Sequence, residues 1–347
     1  MKISKGQMLI ISLLFFLLNI QNIPAQKNPD NSISKKTDQL ILNGIEATIN
    51  ENYDLAQKIF QKMISQRPED PAGYFFLGSA YQTQMIDYAS AFKEKDFFRY
   101  MEKSIELAEK GIEKNQKDIQ AYFYLGNAYG ALAVYEGKRK NLWKAFKCAL
   151  EAKSAIKKAY ELDSTFYDCY VGLGSYHYWT SVLTKPLHFL PFFKDERKRG
   201  IEELKIAAEK GIYSKDVANY GLIWVYIEEK HFRQAIELAT EMDKKYPQTK
   251  LFLWPIAEAY YLKKDWINSI YYYQKILGKI GNPDKSRYIN TIECRYRIAE
   301  SFFKLSKKKE CKEECEKILS LRLDKDIEKR VKKILKDVES MLEKCSK

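Results

Sequence analysis

The sequence predicts an all-α chain built as a stack of repeated helix–turn–helix units. Three observations carry that expectation. A ten-residue phrase recurs as GYFFLGSAYQ at 73–82, AYFYLGNAYG at 121–130 and CYVGLGSYHY at 169–178, so that Gly78, Gly126 and Gly174 fall at equal 48-residue steps. A fixed period in this range marks a stacked supersecondary unit. Helix breakers are scarce, with 15 Gly and 9 Pro in 347 residues, while Lys, Glu, Ala, Leu and Ile are plentiful; that balance favours helix. Outside the ends, apolar residues return every three or four positions, which is the helical period.

The N-terminus reads as a processing signal. Lys2 and Lys5 form a basic start, Met8–Leu18 is apolar apart from Ser12, and Ala25 supplies a small residue at a cleavage position. Residues 1–25 are therefore expected to be a signal peptide, with export to the periplasm or the extracellular space. The apolar run is shorter than the roughly 18–20 residues a spanning helix needs. Its length by itself does not decide between a cleaved leader and a retained membrane anchor. No Cys precedes Cys148, so lipid attachment at the leader's end is excluded.

Residues 26–36 are polar and read as a lead-in. From Thr37, Leu40, Gly44 and Ala47 share one stripe. After a turn at Asn50–Tyr53, Ala56, Phe60 and Met63 share another, and Pro68 closes the unit. Two amphipathic helices with a short turn make an αα-hairpin. The 48-residue units carry extra residues at Ile86–Phe98 and Leu132–Ala145, both with helical spacing, so lengthened helices are expected there. The stretch Thr180–Phe193 is different: it is apolar, contains Pro186 and Pro191, and is followed by a charged run from Lys194 to Arg199. The two prolines argue against one continuous helix. Gly200 is expected to begin the next helix. Near the end, Ile327, Val331, Ile334, Leu335, Val338, Met341 and Leu342 mark an amphipathic helix that would cap the last unit.

This pattern resembles the tetratricopeptide repeat, a 34-residue helix–turn–helix unit. Tyr122, Leu125, Gly126 and Tyr129 fit its first helix, and Ala56, Phe60 and Pro68 its second. Leu222, Tyr226, Ala235, Ala239 and Pro247 fit over 216–249. Ile256, Ala257, Tyr260, Ser269, Tyr273 and Ile276 fit in the following unit, and Ile298, Ala299, Phe302, Cys311, Cys315 and Ile318 in the last. The resemblance implies a right-handed αα-superhelix of about seven helix–turn–helix units with a C-terminal capping helix. The units run 37–70, 71–118, 119–166, 167–215, 216–249, 250–291 and 292–325, and the cap and tail occupy 326–347. Units two to four, at 48, 48 and about 49 residues, depart from the family length.

The same resemblance implies a non-enzymatic protein- or peptide-binding scaffold, which the export signal would place in the periplasm or cell envelope. Its concave face would carry Phe75, Phe123 and Asn127, then Tyr178 and Trp179, then Tyr220 and Trp224. Trp254, Glu258 and Tyr261, and finally Tyr296 and Glu300, complete the aromatic, mildly acidic trough. Longer helices filling that trough would instead make these residues core. An alternative role is a peripheral membrane or envelope-assembly factor docking through 180–199, with Leu187, Phe189, Leu190, Phe192 and Phe193 in membrane contact.

Other classes find little support. No phosphate loop, HExxH or GxSxG is present, and His177, His188 and His231 lie in no nucleophile or ligand spacing, so no enzyme activity, cofactor or metal is expected. Cys311 and Cys315 match two inward helix positions better than a metal pair. The formal charge of +13 permits anionic partners, but most lysines alternate with Glu, and together with the export signal this argues against nucleic acid.

Overall fold

The structure is a computed structural model that describes residues 31–187, 194–211, 214–281 and 288–346, apart from the side chains of 31–38 and 187. The signal-peptide region therefore lies outside the described residues. Among the described residues there are fifteen α-helices and no strand. The described helices follow one another as seven successive pairs and one further helix.

The pairs are α1 (Asn31–Ile49) with α2 (Tyr53–Gln66), α3 (Pro71–Asp87) with α4 (Glu94–Lys114), α5 (Ile119–Lys138) with α6 (Leu142–Leu162), and α7 (Cys169–Thr184) with α8 (Arg197–Lys210). Then come α9 (Lys215–Glu228) and α10 (Phe232–Lys245), α11 (Leu253–Leu262) and α12 (Trp266–Ile280), α13 (Tyr288–Lys304) and α14 (Lys308–Leu319), with α15 (Lys325–Ser346) last. Two helix starts differ from the sequence reading. α1 begins at Asn31, inside the stretch read as a polar lead-in, and α8 begins at Arg197, so Gly200 lies within a helix instead of starting one.

Six of the seven turns share one design. Glu51, Ala89, Lys140, Lys230, Lys264 and Ser306 all have positive φ, between 47° and 65°. Each sits two residues beyond the end of the first helix of its pair. The following N–H turns back to a carbonyl of the last helical turn: Asn141 N to Glu136 O at 2.9 Å, His231 N to Tyr226 O at 2.7 Å, Asp265 N to Tyr260 O at 2.9 Å. A side chain in this backbone region costs about 1 kcal/mol. The recovered bonds satisfy carbonyls that a helix end leaves open. The start of several second helices is capped as well; the Asp265 carboxylate accepts from Asn268 N at 3.3 Å and Asn52 accepts from Leu55 N at 3.4 Å.

The extra residues of the 48-residue units go into helix length. α4 and α6 have 21 residues each, against 14 in α10. The stretch Ile86–Phe98 is split, however: it holds the end of α3, a turn at 88–93 and the start of α4. In the α7–α8 pair the insertion replaces the shared turn. α7 runs on to Thr184, and a single 3-10 turn, Lys185–Leu187, follows at Pro186.

The chain divides into two compact units, 31–84 with 93–225, and 85–92 with 226–346. The core of the first is an aromatic ladder: Phe60 stacks on Phe76 at 5.5 Å, Phe76 meets Phe75 at 5.1 Å, Phe75 meets Tyr124 at 5.9 Å, and Phe123 meets Phe166 at 5.1 Å. In the second, Tyr273, Ile276 and Ile280 of α12 pack with Cys294 and Ile298 of α13. Cys311, Cys315 and Ile318 of α14 pack with Val331, Val338 and Cys345 of α15. α15 thus covers the last pair with its apolar face. Within this unit the buried ammonium of Lys250 pairs with Asp87 at 2.6 Å, and Asn290 and Arg330 donate to the carbonyls of Asp87 and Ala89. All six cysteines are buried, unpaired thiols.

The recurring glycines are contact points between the helices of each pair. A Cβ on Gly78 would meet the flexible end of Met101 at 2.9 Å. One on Gly126 would meet Ile156 at 2.6 Å and the Ala152 carbonyl at 3.0 Å. One on Gly174 would meet the Gly200 carbonyl at 2.7 Å and Leu204 N at 2.9 Å. Backbone cannot yield as a methionine can. Gly174→Ala is therefore expected to destabilise the first unit by about 3 kcal/mol and Gly78→Ala by about 1 kcal/mol or less. Urea denaturation followed by circular dichroism measures both; equal losses at the two positions would contradict the graded contact.

Candidate functional site

In the first unit the expected trough is filled. Phe75, Phe123 and Tyr178 have no exposed surface, and Asn127, Trp179, Tyr220 and Trp224 are buried as well. Phe75 and Phe123 belong to the aromatic ladder, Tyr178 packs edge-on against Trp179 at 5.0 Å, and Tyr220 packs against Trp224 at 6.2 Å. They present little surface to a partner. The physical reason is that these aromatics pack on one another and on neighbouring rings such as Tyr124 and Phe166. Asn127 spends its amide on its own helix, donating to Phe123 O at 2.8 Å. The residues after the three recurring glycines, Ser79, Asn127 and Ser175, are all buried and polar. The hydroxyls of Ser79 and Ser175 have no hydrogen-bond partner.

The second unit arranges the same repeat positions differently. Glu258 and Tyr261 lie on α11; Arg297 and Glu300 lie 39 residues further on, on α13. Arg297 Nη2 donates to Glu258 Oε1 at 3.5 Å and Nη1 to Glu300 Oε2 at 3.3 Å. Tyr273 OH donates to Glu258 Oε2 at 2.7 Å, and Tyr261 OH to Glu300 Oε2 at 3.0 Å. The guanidinium lies 4.2 Å from the centre of the Tyr261 ring. Trp254 stands edge-on to Tyr273 at 6.2 Å and is half-buried, as is Glu300. Tyr296, by contrast, is buried and donates to Asp337 at 3.3 Å, tying α13 to α15.

The electrostatics follow from the count: two carboxylates surround one guanidinium, leaving one excess negative charge. Burial disfavours a charged Arg297, but Glu258, Tyr273, Tyr261 and Glu300 together outweigh it, so its pKa lies above the ordinary arginine value. Burial, and then Glu300, push the Tyr261 phenol up to about 12, against the pull of Arg297. Sequence reasoning placed Glu258, Tyr261 and Glu300 on the binding face and missed Arg297. In the repeat register Glu300 occupies the position of Glu258 one unit later, and Arg297 stands three residues before it, one turn back on the same helix.

Elsewhere, His177 of α7 is buried and its Nδ1 lies 2.5 Å from Glu203 Oε2 of α8, while Arg199 holds the other oxygen at 2.9 Å. Ser181 donates to the His177 carbonyl and accepts from Glu196 N. Its hydroxyl faces main chain, and the set serves to lock α7 onto α8. His231 precedes α10 in a turn. Among the described residues, no group of three or more His, Cys, Asp or Glu is placed to hold a metal ion. Of the expected membrane-contact residues, Phe189, Leu190, Phe192 and Phe193, with neighbouring His188, lie outside the described residues, as does the side chain of Leu187.

No family model and no curated protein matches the chain. Solved structures similar to it include a tetratricopeptide repeat protein from Parabacteroides merdae ATCC 43184, at 10% identity over 88% of this chain and 99% of that one, with a TM-score of 0.38. Another is yeast Tom70, at 12% identity over 89% and 96%, with a TM-score of 0.31. Likeness at this level carries no argument about activity or partner.

Two predictions come from the Arg297 cluster. Arg297→Ala leaves two carboxylates uncompensated and is expected to cost about 3–5 kcal/mol; adding Glu258→Gln should recover part of it. Denaturant titration of the single and double variants measures the coupling, and additive losses would contradict it. Second, the folded pKa of Tyr261 lies above its unfolded value of about 10. Its contribution to stability is whole below about pH 10 and lost as pH rises through about 12. Tyr261→Phe should remove part of the alkaline stability loss in a pH series of melting curves.

Proposed function

We propose that this chain is a non-enzymatic scaffold that binds protein or peptide segments through the aromatic, acidic face of its second unit, after export from the cytoplasm. The observation that carries the reading is the convergence of Glu258, Tyr261, Arg297 and Glu300 beside Trp254. The cluster is internally hydrogen-bonded, so it is rigid before any partner arrives, and rigidity lowers the ordering cost of binding. Its excess negative charge and its partly exposed Trp254 and Glu300 suit a cationic residue with an apolar neighbour. Export rests on the N-terminal pattern of residues 1–25.

A library of short peptides probes the reading directly. Segments bearing Lys or Arg beside an aromatic or aliphatic residue should be enriched, and binding should weaken about tenfold in Glu300→Gln and in Trp254→Ala. Both substitutions leave Arg297 its Glu258 partner, so melting curves should stay near those of the parent. Unselective enrichment, or variants that bind like the parent, would count against this face. For export, the mature chain recovered outside the cytoplasm should begin at Gln26.

A further inference from the structure

We propose that the exposed face at the start of α6 is a docking surface for an anionic membrane. This stands independently of the peptide-binding reading of the second unit.

α6 is turned the wrong way round for a simple core helix. Its buried face is made of small residues, Cys148, Ala152, Ala155 and Ala159, together with Ile156. Its large apolar residues face out: Leu142 is 65% exposed, Trp143 67%, Phe146 55% and Leu150 44%. Leu142, Phe146 and Leu150 recur every four positions and so form one stripe, and Trp143 stacks on Phe146 at 6.2 Å. A contiguous apolar surface of this kind marks a contact site.

The charges around the stripe identify the occupant. From Gly137 to Leu150 there are five cations, Lys138, Arg139, Lys140, Lys144 and Lys147, and no acidic residue. Two of them are held in place from the protein side. Buried Glu136 grips Lys144 at 2.7 Å, and Glu94 grips Arg139 at 3.1 Å. Lys147 lies 5.1 Å from the centre of the Trp143 ring. A Trp and leucines at the level of the acyl boundary, with lysines reaching the headgroups, is the arrangement that holds an interfacial helix. Lysines and arginines near an anionic leaflet add attraction that salt weakens. A second copy of the chain is a poorer occupant, because a twofold contact would bring the same five cations against themselves. Beyond Leu150 the face becomes mixed, with Glu151, Lys157 and Glu161 exposed and the last two paired at 3.2 Å. The docking surface is thus confined to the first turns of α6, and insertion is shallow.

The test is flotation of the full chain with vesicles of phosphatidylcholine alone and of phosphatidylcholine mixed with phosphatidylglycerol. The parent should float with the mixed vesicles, more weakly at high salt, and with the neutral ones little. Trp143→Ala/Phe146→Ser should reduce partitioning at least about tenfold, and Lys140→Gln/Lys147→Gln should reduce it while sparing the Glu136 and Glu94 pairs. All four positions are exposed, so melting curves should match the parent. The proposal is overturned if the parent ignores anionic vesicles. It is equally overturned if the apolar double variant floats like the parent, which would place membrane contact elsewhere in the chain. Loss of a concentration-dependent dimer in that variant, with flotation unchanged, would instead assign the face to a second copy.

Discussion

The two backbones of α7 and α8 touch at Gly174 and Gly200, and the geometry of the first unit depends on contacts of this type. A Cβ at either glycine would sit inside hydrogen-bonding distance of the other helix's main chain. Close approach of this kind brings the flanking side chains of the two helices into register. One turn along, it lets His177 reach Glu203 and lets the Ser181 hydroxyl accept from Glu196 N. The same step of 48 residues places Gly126 against Ile156, with the looser Gly78 contact before it. Gly and Ala are used where helices meet, and aromatics fill what remains.

That division of labour has a consequence for function. In the first unit the aromatics of α3, α5 and α7 are consumed by packing, so the inner stripe has nothing left to offer a partner. The large apolar residues that remain outside lie on α6, where the buried side is built of alanines. In the second unit Glu258 and Glu300 hold the repeat positions of Ser79, Asn127 and Ser175, and with Arg297 they cannot be packed away as hydrocarbons. Glu258 and Arg297 are buried only because they pair, and the unequal count of charges leaves one at the edge, beside Glu300. The two units thus carry different chemistry on one repeated helix pair.

The helix pairs were legible in the sequence because they depend on local period and on turn residues. The recurrence of Gly78, Gly126 and Gly174 indicated tight helix contacts, and Cys311 and Cys315 read correctly as core. Burial of Phe75, Phe123, Tyr178 and Trp224 was not legible. A 3.6-residue period identifies an apolar face but does not say whether another helix covers it. Arg297 was hidden for a related reason: in a lysine- and arginine-rich chain it looks like one more surface cation until α13 is set beside α11. The pairing of Lys250 with Asp87 joins residues far apart in sequence, and no local pattern announces such a contact. Trp143 was read only as part of a lengthened helix, since its outward direction depends on which side of α6 its alanines occupy.

Fluorescence quenching of the five tryptophans one at a time tests the central claim most directly, namely that the first unit's inner stripe is interior and its outer stripe is surface. Each Trp is kept alone, with the others replaced by Phe, and acrylamide is titrated into the folded chain. The account predicts strong quenching of Trp143, intermediate quenching of Trp254 and Trp266, and weak quenching of Trp179 and Trp224. Quenching of Trp179 and Trp224 as strong as that of Trp143 would contradict it, because an open trough would then line the first unit.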